Sequence, residues 1–225
     1  MKYPYILLDA DDTLLDFDRS ETCALKDTLL RFGIPATADH MTCYKELNKA
    51  QWRAFERGET TKAALVVERW ARFLQACGAE GNPAEANRFY TDRLGSYSFT
   101  LPGAAELCAE LRRRGHILAL VTNGTADVQR RRWGASPAAP YVEQVFVSEL
   151  LGCQKPERRF FDLVLAALGD PPRAQCLILG DSETSDMRGG RNAGIAACWY
   201  NPAGRPAAER WDYEVRTLAQ VLEIV

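Results

Sequence analysis

The stretch Tyr5-Ile6-Leu7-Leu8-Asp9-Ala10-Asp11-Asp12-Thr13 sets a short apolar run directly in front of three carboxylates. Apolarity that is continuous rather than alternating predicts a strand covered on both faces, as in a parallel sheet. Ile117 to Val121, Cys176 to Leu179 and Ile195 to Trp199 share that design, and Val145 to Val147 reads as a fifth strand. From Gly103 onward helical patterns alternate with these runs: Ala104 to Arg114, Ala126 to Trp133, Arg158 to Leu168 and Ser185 to Ala193. Each is followed by a glycine (Gly115, Gly134, Gly169, Gly194), the residue favoured just beyond a helix C-terminus. The expected fold class is therefore α/β, with repeated βαβ units in a doubly wound parallel sheet.

The segment from Asp16 to Tyr97 breaks the alternation. It holds no convincing strand but four helical patterns, near Ser20 to Phe32, Asp39 to Glu56, Thr61 to Cys77 and Ala84 to Leu94. In the third, Ala64, Val67, Trp70, Ala71 and Leu74 follow the helical period. We read an all-helical insertion placed just after the first strand, so that residues 1–15 and 98–225 form one α/β core and residues 16–97 a separate helical domain.

Composition narrows the function classes. With 225 residues, 47% hydrophobic and 26% charged, the chain can bury a sizeable core, and disorder or coiled coil is excluded. The formal net charge is −2, so no global basic field draws the chain to nucleic acid or an anionic membrane, and a small ligand is the expected partner. No apolar run approaches the roughly 20 residues needed to span a bilayer, and Met1 to Leu8 is too short for a signal sequence. The seven cysteines are odd in number and lack C-x-x-C spacing, which fits free thiols in a reducing cytoplasm.

In an open α/β sheet ligands bind beyond the carboxyl ends of the strands, where Asp9 and Asp11 emerge. Two residues apart in strand-like geometry, they would point the same way. In such a pair one carboxylate can attack while the other handles protons, and the two can hold a hard divalent cation such as Mg²⁺. The same pattern also serves as a plain turn or helix cap. Later strands run into Thr122-Asn123-Gly124 and into Gly180-Asp181-Ser182-Glu183-Thr184-Ser185-Asp186, with Lys155 between them in Gly152-Cys-Gln-Lys-Pro156. Singly, Thr122 and Asp186 read as helix caps and Lys155 as a solvated lysine.

Taken in chain order, these pieces resemble the four motifs of the haloacid dehalogenase-like (HAD) hydrolases, and the helical insertion is similar to the C1 cap of that superfamily. Phe55-Glu-Arg-Gly-Glu-Thr-Thr61, Arg69-Trp-Ala-Arg-Phe73, Val128-Gln-Arg-Arg-Arg132, Gly189-Gly-Arg-Asn-Ala-Gly194 and Cys198-Trp-Tyr-Asn-Pro202 look like the noncanonical pyrimidine 5′-nucleotidases. Glu157-Arg158-Arg159 departs from the Asp-Pro pattern usual after the motif lysine.

The resemblance implies a Rossmann-like core and a Mg²⁺-dependent phosphatase acting through an aspartyl phosphate. Asp9 would be the nucleophile and Asp11 the general acid and base. Thr122, Asn123 and Lys155 would hold the phosphoryl group; Asp9, the Asp11 carbonyl and Asp181 the Mg²⁺; Asp186 would orient Lys155 or a metal-bound water. Trp52 and Arg69, with Phe55 and Trp70, are candidate contacts to the leaving group, against the plainer reading that aromatics at helical spacing are domain core. The expected substrate is a small phosphomonoester, a pyrimidine nucleoside 5′-monophosphate first, with sugar phosphates such as phosphoglycolate second. Haloacid dehalogenation and phosphonate cleavage are weaker alternatives, because relatives doing either lack the acid that Asp11 supplies. A binding protein without turnover is a third class, disfavoured by the complete set of carboxylates. A nucleic-acid polymer or membrane partner is not expected, and the chain is read as a monomer or homodimer. Arg112 to Arg114 and Arg130 to Arg132 read as solvated helix faces near C-termini, and His40 and His116 as structural.

Overall fold

The computed structural model describes residues 1–225. In chain order the elements are β1 (Tyr5–Leu8), α1 (Phe17–Arg31), α2 (Ala38–Glu56), α3 (Lys62–Cys77), α4 (Pro83–Ser96), α5 (Ala104–Arg113), β2 (Ile117–Thr122), α6 (Ala126–Gly134), β3 (Gln144–Val147) and α7 (Ser148–Leu151). There follow α8 (Arg158–Ala167), β4 (Cys176–Gly180), α9 (Arg188–Ala193), β5 (Ala196–Tyr200) and β6 (Tyr213–Val215). The chain separates into two compact units, Met1–Phe17 with Ser98–Val225, and Asp18–Tyr97.

The first unit is built on a six-stranded sheet of order β3-β2-β1-β4-β5-β6 in which every neighbouring pair is parallel. Leu8 sits opposite Leu120 on one side and Leu179 on the other, so β2 runs two residues and β4 one residue beyond the end of β1. Side chains alternate across the sheet. Ile6, Leu8, Leu118, Leu120, Leu177 and Leu179 pack on one face with Leu107 and Leu111 of α5. Leu7, Ala119, Val121 and Ile178 pack on the other with Phe160, Phe161 and Val164 of α8. Both faces are covered by helices, which is why the strands carry no polar alternation.

Two features differ from the sequence expectation. β6 adds an edge strand at Tyr213–Val215, where three residues pair with β5 without an apolar run of their own. The helix expected over Ser185 to Ala193 is split into a π-helical turn, Glu183–Met187, and the short α9.

The second unit holds α1 to α4. Thr37, Thr61 and Asn82 cap the starts of α2, α3 and α4 by accepting backbone N–H groups, and Gly78 ends α3 in the left-handed conformation. Its interior is aromatic: Tyr44, Trp70, Phe73 and Tyr90 pack with ring centroids 4.5 to 5.8 Å apart. No helix of the chain is long and apolar enough to cross a membrane.

Candidate active site

The adjacent carboxyl ends of β1, β2 and β4 bring the candidate residues of the α/β unit together. β1 stops at Leu8, and Asp9 continues its direction for one residue, its N–H donating to the Leu179 carbonyl at 2.9 Å. The chain then turns. Asp12 adopts φ +59°, and its Oδ1 accepts the Phe17 N–H at 3.1 Å. Asp9 and Asp11 each have their own partners.

Asp9 is buried. Thr13 Oγ1 donates to its Oδ2 at 3.2 Å, and Lys155 Nζ donates to its Oδ1 at 2.5 Å. Lys155 is 1% exposed and also donates to Asp186 Oδ1 at 2.6 Å and to the Val121 carbonyl at 2.9 Å. Three donor positions on an ammonium meet three acceptors. Asn123 secures the same lysine through its main chain: Nδ2 donates to the Lys155 carbonyl at 2.8 Å, and Oδ1 accepts the Lys155 N–H at 2.9 Å. The Asn123 side chain is therefore occupied in placing Lys155. Asp186 is fully buried, its Oδ2 accepting the Ser182 N–H at 3.1 Å. A methyl group at Gly180 would overlap the Asp186 carboxyl, so glycine is required beside it.

Carboxylate oxygens of Asp9, Asp181 and Asp186 lie within 4.8 Å of one another. Burial pushes the Asp9 carboxyl up to about 7, with the Asp186 charge adding to it and Lys155 opposing. Burial also raises Asp181 well above the usual carboxylate range, reinforced by Asp9, Asp186 and Asp12, although a quarter of its side chain reaches solvent. For Lys155 burial works against the ammonium, but Asp186 and Asp9 outweigh it and hold the group protonated. One lysine does not balance three close carboxylates. An all-oxygen donor set with excess negative charge fits a hard divalent cation, which would be held by Asp9 and Asp181 at this edge.

Thr122 ends β2, and its Oγ1 accepts the Gly124 N–H at 3.0 Å. Asp11 is bound by two residues that the sequence reading did not select. Arg132 Nη1 donates to its Oδ1 and Gln129 Nε2 to its Oδ2. The arginine run was expected to be a solvated face. That holds for Arg130, with its side chain 77% exposed, but Arg132 is 0% exposed. At about 100° per residue, three consecutive helical positions cannot all share a face, and the burial of Val128, Gln129, Arg132 and Trp133 marks the inward one.

The remaining candidates lie in the helical unit. Arg69 is buried, donating to Asn48 Oδ1 and Asn87 Oδ1 at 2.8 Å each, with its guanidinium 4.9 Å from the Tyr90 ring centroid. Trp52 is partly exposed and packs edge-on against Phe55 at 5.7 Å, while Trp70 belongs to the aromatic interior.

The haloacid dehalogenase-like hydrolase family model matches residues 3–194, the greater part of the chain. The chain belongs to the haloacid dehalogenase-like hydrolases. Among relatives in this family, it is 34% identical to the HAD-hydrolase YfnB of Bacillus subtilis over 100% of this chain and 96% of that one. It is 36% identical to the pyrimidine 5′-nucleotidase PynA of Streptococcus pneumoniae, covering 90% and 85% of the two chains. It is 31% identical to the pyrimidine 5′-nucleotidase YjjG of Escherichia coli, covering 93% and 91%. The crystal structure of YfnB bound to magnesium superposes with a TM-score of 0.94 over 100% of this chain and 99% of that one. The α/β sheet with its helical insertion is thus the HAD fold.

Proposed function

We propose that this HAD hydrolase is a Mg²⁺-dependent phosphomonoesterase that cleaves nucleoside 5′-monophosphates, pyrimidine nucleotides foremost, through a phosphorylated Asp9. The observation that carries the reading is the Asp9–Lys155–Asp186 constellation, with Asp181 beside it, at the carboxyl edge of the parallel sheet. With Oδ1 held by the Lys155 ammonium, Asp9 has Oδ2, the acceptor of the Thr13 hydroxyl, to act as the nucleophile, and the same ammonium can neutralise a phosphoryl oxygen. The pyrimidine 5′-nucleotidases PynA and YjjG, at 36% and 31% identity over nearly the whole chain, support the substrate class.

In this reading an Asp9 oxygen attacks phosphorus in line, forming the Asp9–phosphoryl bond as the ester P–O bond breaks. Asp11 gives its proton to the departing ribose alkoxide. It then takes a proton from a water molecule that attacks the same phosphorus, breaking the Asp9–phosphoryl bond and releasing phosphate. Lys155 and Thr122 hold phosphoryl oxygens through both displacements, with backbone N–H groups near Ala10 to Asp12 and Asn123 as further donors. Mg²⁺, held by Asp9, Asp181 and the Asp11 carbonyl, would supply the charge that lets two anions approach.

The test is phosphate release from a panel of pyrimidine, purine and sugar monophosphates at fixed Mg²⁺, with Asp9→Asn as control. Activity on pyrimidine nucleotides that this variant abolishes supports the reading. A preference for phosphoglycolate would move the substrate class to sugar phosphates, and undiminished activity in Asp9→Asn would overturn the covalent mechanism.

A further inference from the structure

β2 passes through the turn Thr122-Asn123-Gly124 into α6, whose buried face carries Gln129 and Arg132 three residues apart. Residues at that spacing project from one side of a helix. Together they take hold of Asp11, Arg132 at Oδ1 and Gln129 at Oδ2. Arg132 is itself fixed from several sides. Its guanidinium lies 5.5 Å from the Phe17 ring centroid, and its carbonyl accepts Ser98 Oγ at 2.7 Å. A guanidinium withdrawn from water is costly unless an anion pairs with it. Asp11 is the carboxyl group it meets, and with its side chain 27% exposed it still reaches solvent.

Gln129 has a second contact. Its Nε2 lies 3.2 Å from Thr122 Oγ1, the atom that also accepts the Gly124 N–H. A hydroxyl has two acceptor lone pairs and one proton. With Gln129 and Gly124 filling the acceptor positions, the proton is what Thr122 has left to offer. Gly124 makes the arrangement sterically feasible, since a methyl group there would overlap the Gln129 amide.

We propose that Gln129 and Arg132 are positioning residues, which fix the Asp11 carboxylate for proton transfer and turn the Thr122 hydroxyl proton toward the phosphoryl group. This rests on the hydrolase reading above. Neither residue touches the reacting atoms; both act through side chains that do.

The test is steady-state hydrolysis of uridine 5′-monophosphate with Mg²⁺ by Asp11→Asn, Arg132→Met, the double variant, Gln129→Leu and Gly124→Ala. Arg132→Met and Gln129→Leu are expected to lower kcat by about 10- to 100-fold with KM changed less than about threefold. The double variant should be no slower than Asp11→Asn alone, because residues acting as one unit are not additive. A kcat for Arg132→Met within about twofold of native, or losses that multiply in the double variant, would overturn the proposal. Should Arg132→Met fail to fold, Gly124→Ala carries the same test. It displaces Gln129 without touching Asp11, and an unchanged kcat there overturns the proposal equally. An Asp9→Asn chain as active as native would instead sink the covalent mechanism proposed above, and the positioning role with it.

Discussion

Lys155 donates to Asp9 across 146 residues of sequence, at 2.5 Å and out of contact with water. The same ammonium neutralises Asp186, so removing it leaves two carboxylates in a buried site with no cation of the protein's own. Lys155→Met is expected to cost about 3 to 5 kcal/mol of folding stability, the usual penalty for unpaired buried charge. It should also lower kcat by at least about 100-fold. Urea unfolding and phosphate release measure the two effects; a variant as stable as native would show that the ion pairs are not what seals this site.

Gly180 is the second test of the same cluster. A methyl group there meets the Asp186 carboxyl, which has no room to retreat because it is fully buried. Gly180→Ala should destabilise the fold by about 1 to 3 kcal/mol and reduce kcat by about 100-fold through misplacement of Lys155. Full activity in this variant would contradict the role given to Asp186.

Much of this arrangement is legible in the sequence, for identifiable reasons. β1, β2 and β4 are buried on both faces, so their apolar runs are unbroken; Asp9 and Thr122 follow their runs directly, and Asp181 follows after Gly180. Gln129 and Arg132 were hidden because three consecutive arginines look alike, and only the angular position on α6 separates Arg132 from its exposed neighbour Arg130. The signal was available in their flanks, since Val128 and Trp133 bracket the inward face. β6 was not legible, because Tyr213-Glu-Val215 becomes a strand through pairing with β5 and has no apolar run of its own. The side-chain role of Asn123 depends on a loop 32 residues away.

The acidic cluster makes a prediction about metal. Mg²⁺ should raise the thermal midpoint of the native protein, since a ligand that binds only the folded state at 100 times its Kd adds about 2.7 kcal/mol. Chelation should abolish phosphate release, and Mg²⁺ should restore it. Asp181→Asn is expected to lose most of the Mg²⁺-dependent shift while remaining folded. An equal shift in native and variant would place the cation elsewhere.

Glu21, in the interior of the helical unit, should make stability fall with rising pH. Burial pushes its carboxyl up to about 7, against the Asn48 hydrogen bond and the charges of Lys45 and Arg69. The unfolded chain releases this proton near pH 4.5, about the ordinary glutamate value. The folded state therefore holds the proton through a window where the unfolded state has lost it, and stability declines as pH rises from about 4.5 to about 7. Glu21→Gln keeps an acceptor for Asn48. It should gain about 1 to 3 kcal/mol at pH 8 and almost nothing at pH 4. Equal gains at both values, read by urea unfolding, would remove the electrostatic explanation.

The central claim is that Asp9 carries the phosphoryl group. It is tested most directly by acid-quenching the Mg²⁺ enzyme during turnover of uridine 5′-monophosphate and mapping the product by mass spectrometry. A phosphoryl adduct on the peptide containing Asp9, absent from Asp9→Asn, is the expected result. Sustained phosphate release by the Asp9→Asn protein, with no adduct on that peptide in either form, would contradict the account.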